Sequence, residues 1–134
     1  MDSVNYTHLY NLILDYINTF DCRDNGMVKD RLLENQVPYQ FKISCGLSEN
    51  QFFVEANRAV LGLVEDKMIR ATARAVYSNY AIITINGLTS KGHTYLAAVK
   101  VPKTMNKIKK ILHDEGFPIT PQSISKVVTR LFID

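Results

Sequence analysis

The stretch of the chain that most constrains its fold is residues 48–69, SENQFFVEANRAVLGLVEDKMI, which contains no proline and is strongly apolar. Ser48 and Gln51 stand at its start with the spacing of a capping box, in which each side chain binds the other residue's backbone N–H. Apolar residues then recur every three or four positions, which is the period of one face of a helix. The pattern predicts a long helix that buries these residues: Phe52, Ala56, Ala59, Val60 and Leu63.

Two alternating runs of residues follow this helix without an intervening glycine, and they predict a β-hairpin. Within residues 70–77 and within residues 80–85, similar side chains recur at every second position, which is the pattern of a strand whose successive side chains point to opposite faces. The four residues Tyr77-Ser78-Asn79-Tyr80 suit a tight connection with Ser78 and Asn79 at the turn. A long helix that runs directly into a hairpin is therefore the central expectation for this chain.

The rest of the sequence is predicted to be mostly helical. Apolar periodicity and capping residues place helices at residues 4–20, 27–35, 89–99, 103–115 and 121–132. Residues 21–26, DCRDNG, are expected to form a turn before the second helix, with Asn25 and Gly26 able to adopt positive φ. Residues 39–44, YQFKIS, alternate between apolar and polar after Pro38, which predicts a short strand rather than a helix. No repeat or linker interrupts the chain, so we expect a single domain of residues 1–134.

Composition and cysteine usage exclude several classes of protein. The chain has 134 residues, of which 46% are hydrophobic, so it can bury a core. No apolar run approaches the roughly 18 residues of a membrane span, and no signal peptide is recognisable, so we expect a cytoplasmic protein that does not bind membranes. Cys22 and Cys45 are expected to be reduced thiols. The three histidines follow no metal-ligand spacing, so no metal is expected.

The sequence offers no convincing catalytic group. His93 follows a glycine in the first turn of a predicted helix, with no nucleophile or carboxylate nearby, and is expected to be structural. Cys45 has no neighbouring base, and the six glycines do not form a phosphate-binding loop. We therefore expect a protein that is not an enzyme, with no catalytic residue and no cofactor.

Charge is distributed unevenly along the chain. Residues 1–50 carry a net charge of −3, residues 51–69 carry −1 and residues 70–134 carry +7, which together give the overall +3. This asymmetry predicts either an anionic partner for the C-terminal half or a solvated face of lysines. Lys103, Lys107 and Lys110 share one face of the predicted helix at residues 103–115.

The order of helix, short strand, long helix and hairpin resembles a winged-helix domain, a relative of the helix-turn-helix. Three consecutive segments carry the resemblance: GLVEDKMI at residues 62–69, the hairpin, and GLTSKGHTYL at residues 87–96. Their order resembles a recurring arrangement in winged-helix repressors. More narrowly, the chain is similar to a family of uncharacterised winged-helix-like proteins of phages and prophages. The resemblance implies an α+β, mostly helical fold, with a winged helix-turn-helix core at residues 1–100 and additional C-terminal helices at residues 101–134. The resemblance also implies that the protein is located in the cytoplasm of a host cell.

The resemblance implies a DNA-binding or transcription-regulatory protein. Arg58 of the long helix would approach the major groove, while Arg70 and Arg74 of the hairpin would contact the DNA backbone. The lysines of the helix at residues 103–115 would contact flanking phosphates. The full set of residues expected to bind nucleic acid or a partner is Asn50, Glu55, Arg58, Arg70, Arg74, Tyr77, Ser78, Asn79, Lys103, Lys107 and Lys110.

The acids of the long helix support a second hypothesis. Glu49, Glu55, Glu65 and Asp66 would repel phosphates but would suit a basic groove of a protein. The alternative is therefore a protein-binding inhibitor of a host nucleic-acid-handling complex, such as an anti-CRISPR protein, on the same scaffold. Winged-helix regulators are often homodimers. The last helix is expected either to form such an interface or to close the core with its apolar residues, Ile124, Val127, Val128 and Leu131.

Overall fold

The computed structural model describes residues 1–77 and 80–132, and the side chains of residues 73–81 lie outside that description. Within it the chain forms seven helices and a two-stranded antiparallel sheet, which confirms the prediction of a mostly helical α+β protein. The elements are α1 Ser3–Phe20, α2 Asn25–Glu34, α3 Gln36–Ser44, α4 Glu49–Glu65, β1 Ile69–Tyr77, β2 Tyr80–Leu88, α5 Ser90–Lys100, α6 Pro102–Glu115 and α7 Pro121–Phe132.

Helix α1 lies at the centre of the core. Leu9, Tyr10, Ile13 and Leu14 all have side chains that are 0% exposed, because α1 packs against α4 on one side and against α2 and α5 on others. Leu63 of α4 is also 0% exposed. The apolar face predicted for the long helix is therefore buried against α1, and α4 is held in a fixed orientation.

Helix α4 begins as predicted and ends earlier than predicted. Both halves of the capping box are present: the Gln51 N–H donates to Ser48 Oγ at 3.2 Å, and the Ser48 N–H donates to Gln51 Oε1 at 2.8 Å. The helix ends at Glu65 rather than continuing to residue 69, since Lys67 adopts a positive φ of 60°. The Met68 N–H then donates to the Leu63 carbonyl at 2.9 Å, which closes the helix without a glycine.

The strand predicted at residues 39–44 is wrong, because these residues belong to helix α3. Pro38 lies in the first turn of α3, where a backbone N–H has no helical partner to lose. Of the three apolar residues that alternate in this stretch, only Phe41 is buried, between His8 of α1 and Phe52 of α4. A strand here would also need a sheet edge, and the nearest edge is occupied by another part of the chain.

That other part is the short connection between α1 and α2. Asp24 pairs with Thr84 of β2 as an isolated antiparallel bridge, and the Ile85 N–H donates to the Arg23 carbonyl at 2.7 Å. The turn predicted at residues 21–26 is confirmed at Asp21, which adopts a positive φ of 51°, and is wrong at Asn25 and Gly26, because α2 starts at Asn25. Asp24 caps it by accepting from the Met27 N–H at 2.8 Å.

The two strands of the predicted hairpin pair in an antiparallel ladder. Ala71 lies opposite Ile85, Thr72 opposite Thr84, and Tyr77 opposite Tyr80, and the register shifts between Ala75 and Tyr77. The predicted turn residues, Ser78 and Asn79, lie outside the described residues. Ile83 and Ile85 are buried against the helices, whereas Thr72 and Thr84 are exposed on the other face. The alternation seen in the sequence therefore separates a core face from a solvent face.

The three C-terminal helices follow the predicted capping signals. Thr89 caps α5 by accepting from the Gly92 N–H at 3.0 Å, and Thr120 caps α7 by accepting from the Ser123 N–H at 3.1 Å. Gly116 ends α6 with a positive φ of 75°. Of the apolar residues considered for α7, Ile124, Val127 and Val128 are buried and Leu131 is half-buried, so this helix closes the core with them.

Candidate nucleic-acid interface

The solvent-exposed side of α4 carries a continuous stripe of side chains. Asn50, Val54, Arg58 and Glu65 are exposed, and Asn57 and Leu61 are half-buried between them. We call these six residues the outer stripe of α4. Asparagine and arginine side chains are well suited to reading base edges in the major groove, because each can form two hydrogen bonds to one base.

Glu55 does not belong to the outer stripe. Its side chain is only 19% exposed and turns towards α1, where its carboxylate lies 3.7 Å from Arg58 Nη1. The Oε2 atom is buried and has no hydrogen-bond partner among the described residues. Two helical turns of the stripe, from Asn50 to Arg58, therefore carry no carboxylate. The acidic surface expected from the sequence is thus confined to the two ends of the helix.

Arg58 connects the outer stripe to α1. Its guanidinium lies over the ring of Tyr6 at 5.2 Å from the ring centroid, and its side chain remains 66% exposed. Burial raises the pKa of the Tyr6 hydroxyl, so this group stays protonated at neutral pH. Gly62 makes room for the ring, because a Cβ atom there would lie 2.5 Å from the Tyr6 hydroxyl oxygen. Arg58 is therefore oriented and still accessible to a ligand.

Asp66 fixes the C-terminal end of α4. Its carboxylate accepts from the Tyr10 hydroxyl at 2.8 Å and from Gln122 Nε2 at 3.0 Å, and its carbonyl accepts from Lys91 Nζ at 2.9 Å. Burial, together with the bond to Asp66, raises the pKa of Tyr10 well above its ordinary value. The acid at this end of α4 is thus occupied by structural bonds to α1, α5 and α7.

The hairpin contributes one described cation to the same region. Arg70 is exposed at the start of β1, and no described ion pair involves it. The side chains of Arg74 and Tyr77 lie outside the described residues. Ser78 and Asn79 also lie outside the described residues, so their expected contribution stays a prediction.

The lysines of α6 form a separate surface. Lys103, Lys107 and Lys110 are exposed on the face of α6 opposite its buried residues, Ile108 and Leu112. In the described parts of the chain, no hydrogen bond, ion pair or ring contact joins α6 to α4 or to the hairpin. The expected site residues therefore fall into at least two groups, and described contacts connect only Glu55 with Arg58.

Two residues that the sequence analysis did not single out belong to this region. Asn57 lies seven positions after Asn50, two helical turns further along the outer stripe, so the spacing alone pointed to it. Lys91 reaches the end of α4 only because α5 folds back against it, and no local pattern in the sequence indicated that contact. Helical periodicity could have found the first residue, but not the second.

Comparison of the chain with family models, curated proteins and solved structures finds no match in any of the three. Among the described residues, no helix is both long enough and apolar enough to span a membrane. No group of three or more histidine, cysteine, aspartate or glutamate side chains within that part of the chain has the arrangement of a metal site.

Proposed function

We propose that this protein is a non-enzymatic, DNA-binding regulatory protein with a winged-helix core, of the kind that phages and prophages encode. Its support begins with the order of elements. The chain contains, in this order, helix α1, the bridge from Asp24 to β2, α2, α4 and the β1–β2 hairpin, with α3 as an additional helix between α2 and α4. This order is similar to that of a winged-helix domain. In this assignment α4 is the recognition helix and the hairpin is the wing.

The observation that carries the proposal is the inward orientation of Glu55. It leaves Asn50, Asn57 and Arg58 on the part of the outer stripe, residues 50–61, that carries no carboxylate. A bidentate contact from such a side chain to one base contributes about 1–3 kcal/mol of discrimination against the wrong base. The stripe therefore has the chemistry to read sequence, in addition to binding phosphates.

Phosphate contacts in this proposal come from the arginines of the wing and the lysines of α6. Arg70 and Arg74 would bind the backbone beside the recognition helix. Lys103, Lys107 and Lys110 would attract flanking DNA through exposed ammonium groups. Contacts of this kind are independent of sequence and are weakened by salt, because each one releases counterions from the DNA.

The test is selection of duplexes from a random pool, followed by fluorescence anisotropy titrations of the selected site and a scrambled duplex. We expect the selected duplex to bind at least about a thousandfold more tightly, which is the lower end for specific DNA-binding proteins. Asn57→Ala should weaken binding to the selected site by about 5- to 150-fold and leave the scrambled duplex unaffected. Asn106→Ala, an exposed asparagine on α6, is the matched control.

Two results would contradict the proposal. The first is a failure of the random pool to yield any enriched sequence. The second is equal damage from Asn57→Ala and from Asn106→Ala, which would show that the outer stripe does not read bases.

A second candidate function is protein binding, as in an inhibitor of a host nucleic-acid-handling complex. The exposed apolar residues of α3 favour it: Val37, Tyr39 and Ile43 are 56%, 57% and 58% exposed. Tyr39 and Ile43 lie one helical turn apart on the same side of α3, and adjacent exposed apolar side chains of this kind are typical of surfaces that bind another protein. If this function is correct, Ile43→Glu should abolish capture of the target while DNA binding stays negligible in the wild type.

A further inference from the structure

A groove runs along the face of α1 that points away from α4. Tyr6 and Tyr10 lie against Gly62 of α4, whereas the groove is lined by residues on the opposite side of α1, among them His8 and Leu12. Helices α5 and α6 form one wall, and Val37 of α3 closes one end. The groove has a volume of about 320 Å³, at the lower end of the range for ligand pockets.

The floor and walls of the groove are largely apolar. Leu12, Val99, Met105 and Ile119 are half-buried in it, and Val4 at its end is 55% exposed. Met105 is flexible and polarisable, which lets a surface adapt to different side chains. A few apolar side chains of a ligand would therefore be removed from water here, and that is a favourable contribution to binding.

The polar rim of the groove is rich in hydrogen-bond donors. Asp15 is its one carboxylate among the described residues, and Lys100 already neutralises it at 3.1 Å. Lys109 projects into the rim, and no described ion pair involves it. Asn11 accepts from the Tyr95 hydroxyl at 2.6 Å through its carbonyl oxygen, which leaves its two N–H donors for a ligand.

We propose that this groove binds a short peptide segment of a partner protein in which apolar side chains are combined with carboxylates. The apolar floor would bind the apolar side chains of the peptide, and Lys109 and Asn11 would bind its carboxylates. Charge complementarity selects this occupant, because the rim carries two lysines against one acid. A basic segment would meet an unpaired ammonium group and too few acceptors.

This binding surface is distinct from the outer stripe of α4. The two lie on opposite sides of α1, so a bound peptide does not cover Asn57 or Arg58. In the proposed function, the groove would let the protein hold DNA and a partner protein at the same time.

The experiment uses the full chain and two fluorescein-labelled peptides, one of leucines and glutamates and one of leucines and lysines. Binding is followed by fluorescence anisotropy, and the site is mapped by backbone and methyl NMR chemical shifts. We expect the glutamate peptide to bind and to shift resonances of Leu12, Val99 and Met105. Lys109→Glu should weaken that binding about tenfold and should create binding of the lysine peptide, because one attraction is replaced by a repulsion.

Lys107→Glu is the matched control, because it makes the same charge change on the same helix but on the face away from the groove. It should leave both peptides unaffected, and circular dichroism melts should show that both variants remain folded. Equal effects of the two substitutions would overturn the proposal. So would shifts located elsewhere, a failure of the glutamate peptide to bind, or a dimer of the protein itself that occupies the groove.

Discussion

The α1–α4 pair and the α6–α7 pair are both amphipathic helix pairs, but they present different outer surfaces. The outer stripe of α4 alternates amide, apolar and arginine side chains, and Asp66 anchors its end through bonds to three other helices. The outer face of α6 carries lysines, and its connection to α7 includes an exposed pair between Glu115 and Arg130. The first surface is chemically varied and is held at one end by bonds to other helices, whereas the second carries exposed positive charge.

In the proposed function, this difference corresponds to a division of roles. Side chains that distinguish one base from another must be held in place, because a hydrogen bond to a base depends on position and angle. Lysines that attract phosphates act through charge, which depends weakly on position. A pair of helices buried at the centre of the fold suits the first role, and a pair at its edge suits the second.

The largest expected effect is on the packing of α4. Leu63→Ala should lower the free energy of unfolding by about 2–5 kcal/mol, because Leu63 is 0% exposed and its removal leaves a cavity against α1. Ile111→Ala, at a half-buried position of α6, should cost clearly less. Urea unfolding of both variants measures the difference. Equal losses would mean that the two helix pairs are packed alike.

The second prediction concerns the bond between Tyr10 and Asp66. Tyr10→Phe should cost roughly 1.5–3 kcal/mol at neutral pH, because the variant removes one of the two side-chain donors to the Asp66 carboxylate. The exposed Tyr39→Phe should cost almost nothing. Urea titrations give the free energy of unfolding of both variants. The loss in Tyr39→Phe measures the effect of replacing a phenol by a phenyl ring at an exposed position, and it is subtracted from the loss in Tyr10→Phe.

The same bond determines how stability changes with pH. The pKa of Tyr10 is raised in the folded chain, so its contribution is complete below pH 10, the ordinary tyrosine value, and is lost as the pH rises further. The wild type should therefore lose stability above pH 10, and Tyr10→Phe should lose less over the same interval. An alkaline slope that does not change in the variant would contradict this assignment.

The third prediction separates the two surfaces by salt. If the α6 lysines contact phosphates, Lys107→Ala should reduce the slope of log K against log salt by about 0.9, the value for one phosphate contact. Asn57→Ala should leave the slope unchanged, because a base contact releases no counterions. Titrations of the scrambled duplex at several salt concentrations measure both. An unchanged slope in Lys107→Ala would remove α6 from the DNA-binding surface.

The sequence predicted those features that depend on local chemistry. The capping box at Ser48, the caps at Thr89 and Thr120 and the end of α6 at Gly116 each follow from one or two side chains near a helix terminus. The antiparallel pairing of β1 with β2 follows from the alternation within residues 70–77 and 80–85. Local rules decide these features, so a single sequence is enough to predict them.

The sequence could not predict what depends on distant partners. Residues 39–44 alternate like a strand, but Arg23 and Asp24 occupy the edge of β2, and α3 packs Phe41 between α1 and α4 instead. Helical periodicity placed Glu55 on the polar side of α4, but its side chain is only 19% exposed and its carboxylate lies 3.7 Å from Arg58 Nη1. The charge of the outer stripe therefore became clear only with the tertiary contacts.

The smallest expected effect is at acid pH and concerns the α6–α7 pair. Two hydrogen bonds from Arg130, at 2.8 and 3.1 Å, lower the pKa of the exposed Glu115 carboxyl below its ordinary value of 4.5. Because the folded pKa is the lower one, this contribution is present above pH 4.5 and is lost as the pH falls through the folded value. Arg130→Gln should therefore flatten the acid side of the stability profile slightly, and by less than Tyr10→Phe changes the alkaline side.

The control is Arg23→Gln, which removes a single 3.0 Å contact with Asp21 and should leave the acid side of the stability profile unchanged. Urea titrations at closely spaced values between pH 3 and 6, in the range where carboxyl groups titrate, provide the measurement. A larger change in Arg23→Gln than in Arg130→Gln would show that the two-bond geometry of the α6–α7 pair confers no advantage over a single exposed contact.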